Sequence, residues 1–558
     1  MAEQLKAIGS YLYLKCSYHD RELARSINGA KFIKKWSAWQ FPLRTDTYKS
    51  IVACFPDVEL LNDVLKKVNS ITQEYQSYIA LKSEVFKNPD QNLKNYLSLP
   101  LFDHQVKSFD YFKRMECAVD FSEPGAMKTA VQIALIKYRA REFGIRKFLI
   151  ICPHQAMKRV WFDDIVKFIG HYKPSIFMMD KGTKQANDYL KEKINGIYII
   201  NYEKTWRVLD QLLAMKFDFV IADESSRIKQ HASKQSKAVH KFNDVRFRSI
   251  LTATPAPNNE LELFSQYKFL DPRMFGDNFW SFRSRFFIKN PANEFQWFPK
   301  PNTKAVLKRY TEIYSVGWEK RKCIDLPPLT SQALECELTK EQRKAYTDMA
   351  KDMIAFLNEQ TYDVSIVVTK LLRLNQITSG FIQNTNPEEP EDVYDFKPNP
   401  KLNLLVETVK SIPQDKKVII WAVFHHDIEM ISDHLNDEYG NALTKVAVAY
   451  YGKTSKKDRT EALNDFIEGD ARFIVAHPKS LGMAINLSVA SYSIRYSMNY
   501  SYEDYAQSIE RFNRHGQTEP MTEYVLIASG TNDDIVHEVV TKHKKGINEF
   551  IARFRDTH

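Results

Sequence analysis

The chain has 558 residues, 44% of them hydrophobic and 13% aromatic, a balance that excludes a disordered polymer and is too long for one hydrophobic core. A net charge of +10 favours a polyanionic partner over an acidic one. Six cysteines with no C-x-x-C pair exclude a zinc-finger type of site and suit a reducing compartment. No run of ~18 apolar residues and no basic-then-apolar leader pattern occur, so no membrane span is expected and a cytoplasmic location is.

In chain order, residues 1–88 read as a unit of their own. Ile8–Cys16 and Trp39–Leu43 alternate as strands do, and residues 58–85 carry Leu60, Leu61, Val64, Leu65 and Val68 at helical spacing. Lys87-Asn88-Pro89-Asp90 breaks that helix and reads as a linker. Between 98 and about 290 the pattern becomes β/α alternation. Lys147–Cys152, Gly196–Ile200, Phe217–Ala222 and Arg248–Thr252 are short apolar runs of the kind that form buried parallel strands.

An aromatic and basic stretch, Phe279–Arg309, and a helical region near 340–375 follow. Asn384–Pro400, with four prolines and five acids, predicts an exposed loop. A second β/α series starts near 415, with strands at Lys417–Ala422, Val446–Tyr450, Phe473–Ala476, Ser491–Tyr496 and Tyr524–Ala528. The expected fold is α/β: a small N-terminal α+β domain (1–88), a first lobe (89–325) and a second lobe (326–558), each lobe with a parallel sheet and a helical insertion. Two such lobes in series imply a cleft.

Glu123-Pro124-Gly125-Ala126-Met127-Lys128-Thr129 lies between a strand near Val119–Phe121 and the helical run Ala130–Tyr138. A tight loop entering a helix N-terminus is an anion site, because unpaired backbone N–H groups and the helix dipole point at the phosphates. Gly125, Ala126 and Met127 line it, Lys128 holds β- and γ-phosphates, and Thr129 offers a hydroxyl to Mg²⁺. Methionine stands at 127 where such loops usually have glycine. Asp223-Glu224 ends an apolar strand; Asp223 suits Mg²⁺, and Glu224 suits polarising the attacking water. Far downstream, Gln507, Arg511 and Arg514 stand at i, i+4 and i+7, which predicts one helix face, followed by Gly516-Gln517. Two arginines there can stabilise the γ-phosphate in the transition state. For each motif alone, a helix start, a helix cap or a solvated basic face is the simpler reading; their order along one chain favours an ATP-hydrolysing engine.

With these residues in hand, the chain resembles the Swi/Snf-related ATPases, a branch of superfamily-two helicases and translocases, from about Leu97 to Lys542. The matching segments are Leu101–Gln105, Ile150–Pro153 with Trp161, Asn201–Glu203, Asp223–Lys229, and Leu251-Thr252-Ala253-Thr254-Pro255 with Asn258–Leu263. Val316–Leu329, Leu371–Gly380, Lys417–Phe424 and Leu481–Leu487 continue it. The resemblance implies two RecA-like lobes, ATP and Mg²⁺ as cofactors, adenine contact by Gln105, and nucleotide contact by Gln507. It also implies DNA contacts by Pro153, Asn201, Tyr202, Thr252, Thr254 and Gly482; Ala484 replaces a usual glycine nearby.

Ile27–Leu43 resembles the HARP module of the annealing-helicase branch. Residues 15–49 hold eight Lys/Arg against three acids, which suits a nucleic-acid backbone; Lys31, Lys34 and Lys35 are the expected contacts, with Trp39 and Phe41 in a small core. The expected activity is DNA-dependent ATP hydrolysis with translocation on duplex or forked DNA, by a monomer of bacterial or bacteriophage origin. A strand-separating helicase and a DNA-binding scaffold with a degenerate ATP site are the alternatives.

Overall fold

The computed structural model describes residues 3–541 except 10, 28, 62, 257–258, 291–292, 358–363, 384–392, 441–444, 482–484 and 515. The chain divides into two compact units, Met1–Cys323 and Ile324–His558. Among the described residues no helix is long and apolar enough to cross a membrane.

The first unit opens with β1 (Gln4–Ile8), β2 (Tyr11–Lys15), β3 (Lys31–Ile33), β4 (Ala38–Pro42) and β5 (Glu59–Leu61), in spatial order 3-4-2-1-5. Alternation sends Leu12 and Leu14 of β2 inward with Phe41 of β4, and Tyr11 and Tyr13 to the other face. The long helix starts at Val64 and ends at Lys87, not at 58: Leu60 and Leu61 belong to the edge strand β5, which pairs with β1. Three-residue strands carry too little periodicity to separate from a helix start.

A second sheet follows. Its strands are β6 (Cys117–Asp120), β7 (Lys147–Cys152), β8 (Ile176–Met178), β9 (Gly196–Asn201), β10 (Phe219–Asp223) and β11 (Phe247–Leu251). After the ribbon β12 (Phe287–Asn290) and β13 (Asn293–Pro299), β14 (Ser315–Val316) returns to close the order 14-6-11-10-7-9-8. Every pairing is parallel. Helices cover the sheet, so β7 and β9 are buried almost throughout and read as unbroken apolar runs.

The N-terminal sheet and its long helix are fastened to this lobe. Tyr75, Tyr78, Leu81 and Phe86 pack against the lobe's core. Arg273 pairs with Glu74 at 3.1 Å, Arg285 with Asp46 at 2.6 Å, and Arg44 donates to the carbonyl of Met274.

The second unit is built on β15 (Leu329–Cys336). A small antiparallel ribbon follows, β16 (Phe381–Gln383) with β17 (Val393–Asp395). Then come β18 (Lys417–Trp421), β19 (Ala447–Tyr450), β20 (Phe473–Ala476), β21 (Ala490–Arg495) and β22 (Met521–Ala528). The six-stranded order is 15-22-21-18-20-19, again all parallel. The proline-rich stretch is therefore not loop throughout: Val393–Asp395 pairs, and Phe396 is buried in a core with Leu371 and Leu374. Residues 384–392 of it lie outside the described residues.

Candidate nucleotide site

Parallel strands place all their carboxyl ends on one edge, and the first-unit motifs sit there. Cross-strand register sets Asp120, Leu251 and Asp223 in one row across β6, β11 and β10. The phosphate loop leaves β6, Glu224 leaves β10, and Thr252 leaves β11 between them.

The loop runs through two left-handed residues, Gly125 (φ 82°) and Met127 (φ 57°), before the helix Lys128–Phe143 begins. Glycine takes this conformation freely; methionine pays a steric cost. Two buried side chains grip the loop from behind. His104 Nε2 donates to Ala126 O at 3.0 Å, and Gln105 Nε2 donates to Met127 O at 3.0 Å while its Oε1 accepts from Phe102 N at 2.8 Å. Burial pushes His104 below the ordinary histidine range. Gln105, the residue expected to contact adenine, thus ties its own helix start to the loop, Oε1 capping the helix and Nε2 holding the Met127 carbonyl. Lys128 Nζ donates to Ser122 O at 2.7 Å and to Glu123 O at 3.4 Å. These neutral acceptors bind an ammonium more weakly than phosphate oxygens do. Thr129 follows, half-buried in the first helical turn.

Asp223 is held at both carboxylate oxygens: Trp161 Nε1 donates to Oδ2 at 2.8 Å and the Glu224 N–H to Oδ1 at 3.0 Å. Burial, then the neighbouring Glu224 carboxylate, pushes its acid up to about 6, with Trp161 and Lys128 pulling the other way. Glu224 has a left-handed backbone (φ 53°), and its Oε1 accepts from Ser226 Oγ and Thr252 Oγ1, each at 3.0 Å. Thr252 Oγ1 in turn accepts from Thr254 N at 3.1 Å. Ser225 Oγ donates to Gln266 Oε1 at 2.7 Å, and Gln266 reaches the Pro255 carbonyl at 2.5 Å.

Several residues expected to touch DNA turn inward. Tyr202 is fully buried and donates its hydroxyl to Asp223 O at 2.7 Å. Thr252 is fully buried on Glu224, and Pro153 is buried at the end of β7. Trp161, also fully buried, braces Asp223. Pro153, Tyr202 and Thr252 each follow the end of a buried strand, which a linear motif does not reveal. Asn201 caps the helix after β9 by accepting from Lys204 N at 2.8 Å, and Thr254 is half-buried. Gly482 lies outside the described residues. The supports His104 and Gln266 carried no signal in the sequence, because the groups they hold, the Ala126 and Pro255 carbonyls and Ser225 Oγ, come near them only in the fold.

In the second unit Gln507 and Arg511 share the helix Tyr502–Phe512, but Arg514 lies beyond its end. Asn513 leaves the helical region (ψ 76°) and Gly516 turns at φ 102°, so the i+7 position does not continue the face. Arg511 is buried, and its carbonyl accepts from Leu487 N at 2.9 Å. Arg514 Nη1 donates to Ile485 O at 3.5 Å, and Gln517 Nε2 to Ala490 O at 2.8 Å.

In the N-terminal sheet Lys34 and Lys35 are exposed, while Lys31 pairs with Asp277 at 3.1 Å. Phe41 is fully buried and Trp39 partly so.

Among the described residues no three His, Cys, Asp or Glu cluster as a metal cage. Mg²⁺ needs only one or two protein oxygens beside phosphates and water. The half-buried Asp223–Glu224 pair, with one acid raised to about 6, is electrostatically short of a cation and fits that role.

Residues 104–381 match the model of the SNF2-related domain, and residues 400–516 that of the helicase conserved C-terminal domain. Protein CHROMATIN REMODELING 4 of Arabidopsis thaliana is 24% identical over 475 residues, covering 79% of this chain and 21% of that protein. DNA repair and recombination protein RDH54 of Saccharomyces cerevisiae is 24% identical over 433 residues, covering 70% and 44%. The chain thus spans less than half the length of these curated relatives. A solved structure, the Sulfolobus solfataricus SWI2/SNF2 ATPase core in complex with dsDNA, is 22% identical, with a TM-score of 0.38 over 83% of this chain and 94% of that one. The chain therefore joins an SNF2-related domain to a helicase conserved C-terminal domain.

Proposed function

We propose that the chain is a DNA-dependent ATPase that translocates on duplex or forked DNA. The observation that carries this reading is the meeting of Lys128, Asp223, Glu224 and Thr252 at one edge of a parallel sheet, within an SNF2-related domain. Lys128 exchanges its two loop carbonyls for β- and γ-phosphate oxygens. Thr129 and Asp223 hold Mg²⁺, which neutralises charge on the phosphates. Glu224, aimed by Thr252 and Ser226, orients the attacking water. Arg511 and Arg514 are the assigned arginines, Arg514 serving the transferring phosphoryl group, where such a charge is worth about 10³–10⁵ in rate. The N-terminal sheet, HARP-like in sequence, is assigned to DNA through Lys34 and Lys35.

Phosphate release measured without nucleic acid and with single-stranded, duplex and forked DNA or RNA tests this. DNA, the duplex or the fork above all, is expected to stimulate turnover strongly; equal rates in all arms reject the reading. Glu224→Gln is expected to bind ATP normally and to lose about 10²–10⁴ in turnover.

A further inference from the structure

The aromatic stretch Phe279–Arg309 has no part in the nucleotide site, yet it is one half of a joint. Its helix Phe279–Phe286 meets the N-terminal sheet: the Gly29 N–H donates to Ser281 Oγ at 2.7 Å, and Lys31 pairs with Asp277 at 3.1 Å. Trp280, next to Ser281 in the chain, is 61% exposed. On the other side of the joint Trp36 is 42% exposed. It packs on Tyr13, 4.7 Å between ring centroids, on the same sheet face as Lys31.

Both rings are held in place. Tyr13 OH, beneath Trp36, accepts from Gln40 Nε2 at 2.7 Å. The Arg283 guanidinium lies 4.4 Å from the Trp280 ring and 3.8 Å from the Trp297 ring. His231 stacks on Phe279 at 3.8 Å, and its proton affinity is lowered by burial and then by Lys268, Lys237 and Arg283. Exposed Lys34 and Lys35 immediately precede Trp36. Fixed aromatic faces bordered by cations offer stacking to flat rings and ion pairing to phosphates. A duplex hides its base faces; only unpaired nucleotides present both features together.

We propose that Trp36 and Trp280, flanking this joint, form a stacking platform for unpaired nucleotides, the single-stranded arm of a forked DNA. The inference rests on the reading of the chain as a DNA-dependent enzyme, and names the strand that the N-terminal joint takes. Lys34, Lys35 and Arg283 meet the phosphates, and the rings take the bases without sequence preference.

The test uses the full chain and two fluorescein-labelled probes, an oligo-dT single strand and a blunt duplex of equal length, read by anisotropy. Trp36→Ala and Trp280→Ala are each expected to weaken single-strand binding about tenfold. Duplex affinity and duplex-stimulated ATP hydrolysis stay as in the wild type. Trp36→Tyr and Trp280→Tyr, which keep a ring, are expected to retain single-strand binding and thus separate stacking from folding. Phe32→Ala removes a ring that is 49% exposed on the opposite face of the sheet, and is expected to change nothing. Wild-type single-strand affinity in the double alanine variant overturns the proposal. So does an equal loss on duplex, which marks a structural role, or failure of the wild type to bind the single strand. Failure of the enzyme reading shows separately, as absent DNA-stimulated hydrolysis.

Discussion

The two parallel sheets hold their functional groups by different means. At the edge of the first, Asp223 takes bonds from Trp161 and Glu224 N–H, Glu224 from Thr252 and Ser226, and the phosphate loop from His104 and Gln105. Side chains fix the reactive groups there, so their geometry exists before any ligand arrives. In the second, the bonds described around the arginines end on backbone carbonyls, Leu487 N–H on that of Arg511, Arg514 Nη1 on that of Ile485 and Gln517 Nε2 on that of Ala490, and Arg514 lies past the helix end. The difference shows that position within a motif does not predict how firmly a group is held; the layer behind it does.

The largest effect that can break this comparison is at the arginines. Arg514→Ala is expected to leave the melting temperature unchanged and to lower kcat about 10³-fold, as for a group serving the transition state. Arg511→Ala is expected to lose activity together with stability, because a buried side chain is removed. Scanning calorimetry beside steady-state kinetics distinguishes them; equal stability losses would erase the contrast.

A smaller effect sharpens the first-lobe half. Removing the Trp161 N–H in Trp161→Phe deprives the Asp223 carboxylate of a donor, so its acid, already pushed up to about 6, rises further. The acidic limb of kcat/KM is expected near pH 6 in the wild type and at higher pH in the variant. The stability sign follows the same shift. Between 3.8 and about 6 the folded state binds a proton that the unfolded state has lost. This group's contribution to stability therefore falls as pH rises through that window, by about 1.4 kcal/mol for each unit of separation. An unmoved acidic limb removes Asp223 from the role assigned to it.

The smallest effect concerns Met127. Its φ of 57° carries a steric cost that glycine avoids, partly offset by glycine's greater unfolded-state entropy. Met127→Gly is expected to gain about 0.5–1 kcal/mol in urea unfolding and to lower KM for ATP with little change in kcat. A destabilised variant would mean that the methionine side chain contributes more packing than its backbone loses.

The sequence by itself determined most strands of both parallel sheets to within three residues, because buried parallel strands are continuous apolar runs, and it set Lys128, Asp223 and Glu224 in their order; it missed the short β8 and β14 and the largely exposed edge strand β15. Tertiary structure decided the rest. Lys87–Asp90 reads as a linker, yet the helix before it places Tyr75 and Phe86 against the first lobe's core, a contact between segments whose patterns are independent. Pro153, Tyr202 and Thr252 read as surface contacts and are buried, since a strand's end reveals its neighbours only once the strand order is known. Arg514 shared a helical period with Gln507, but Asn513 leaves the helix first. Periodicity records which side of one element is apolar; it carries no information on what the fold sets behind that element, and the layer behind is what orients a reacting group.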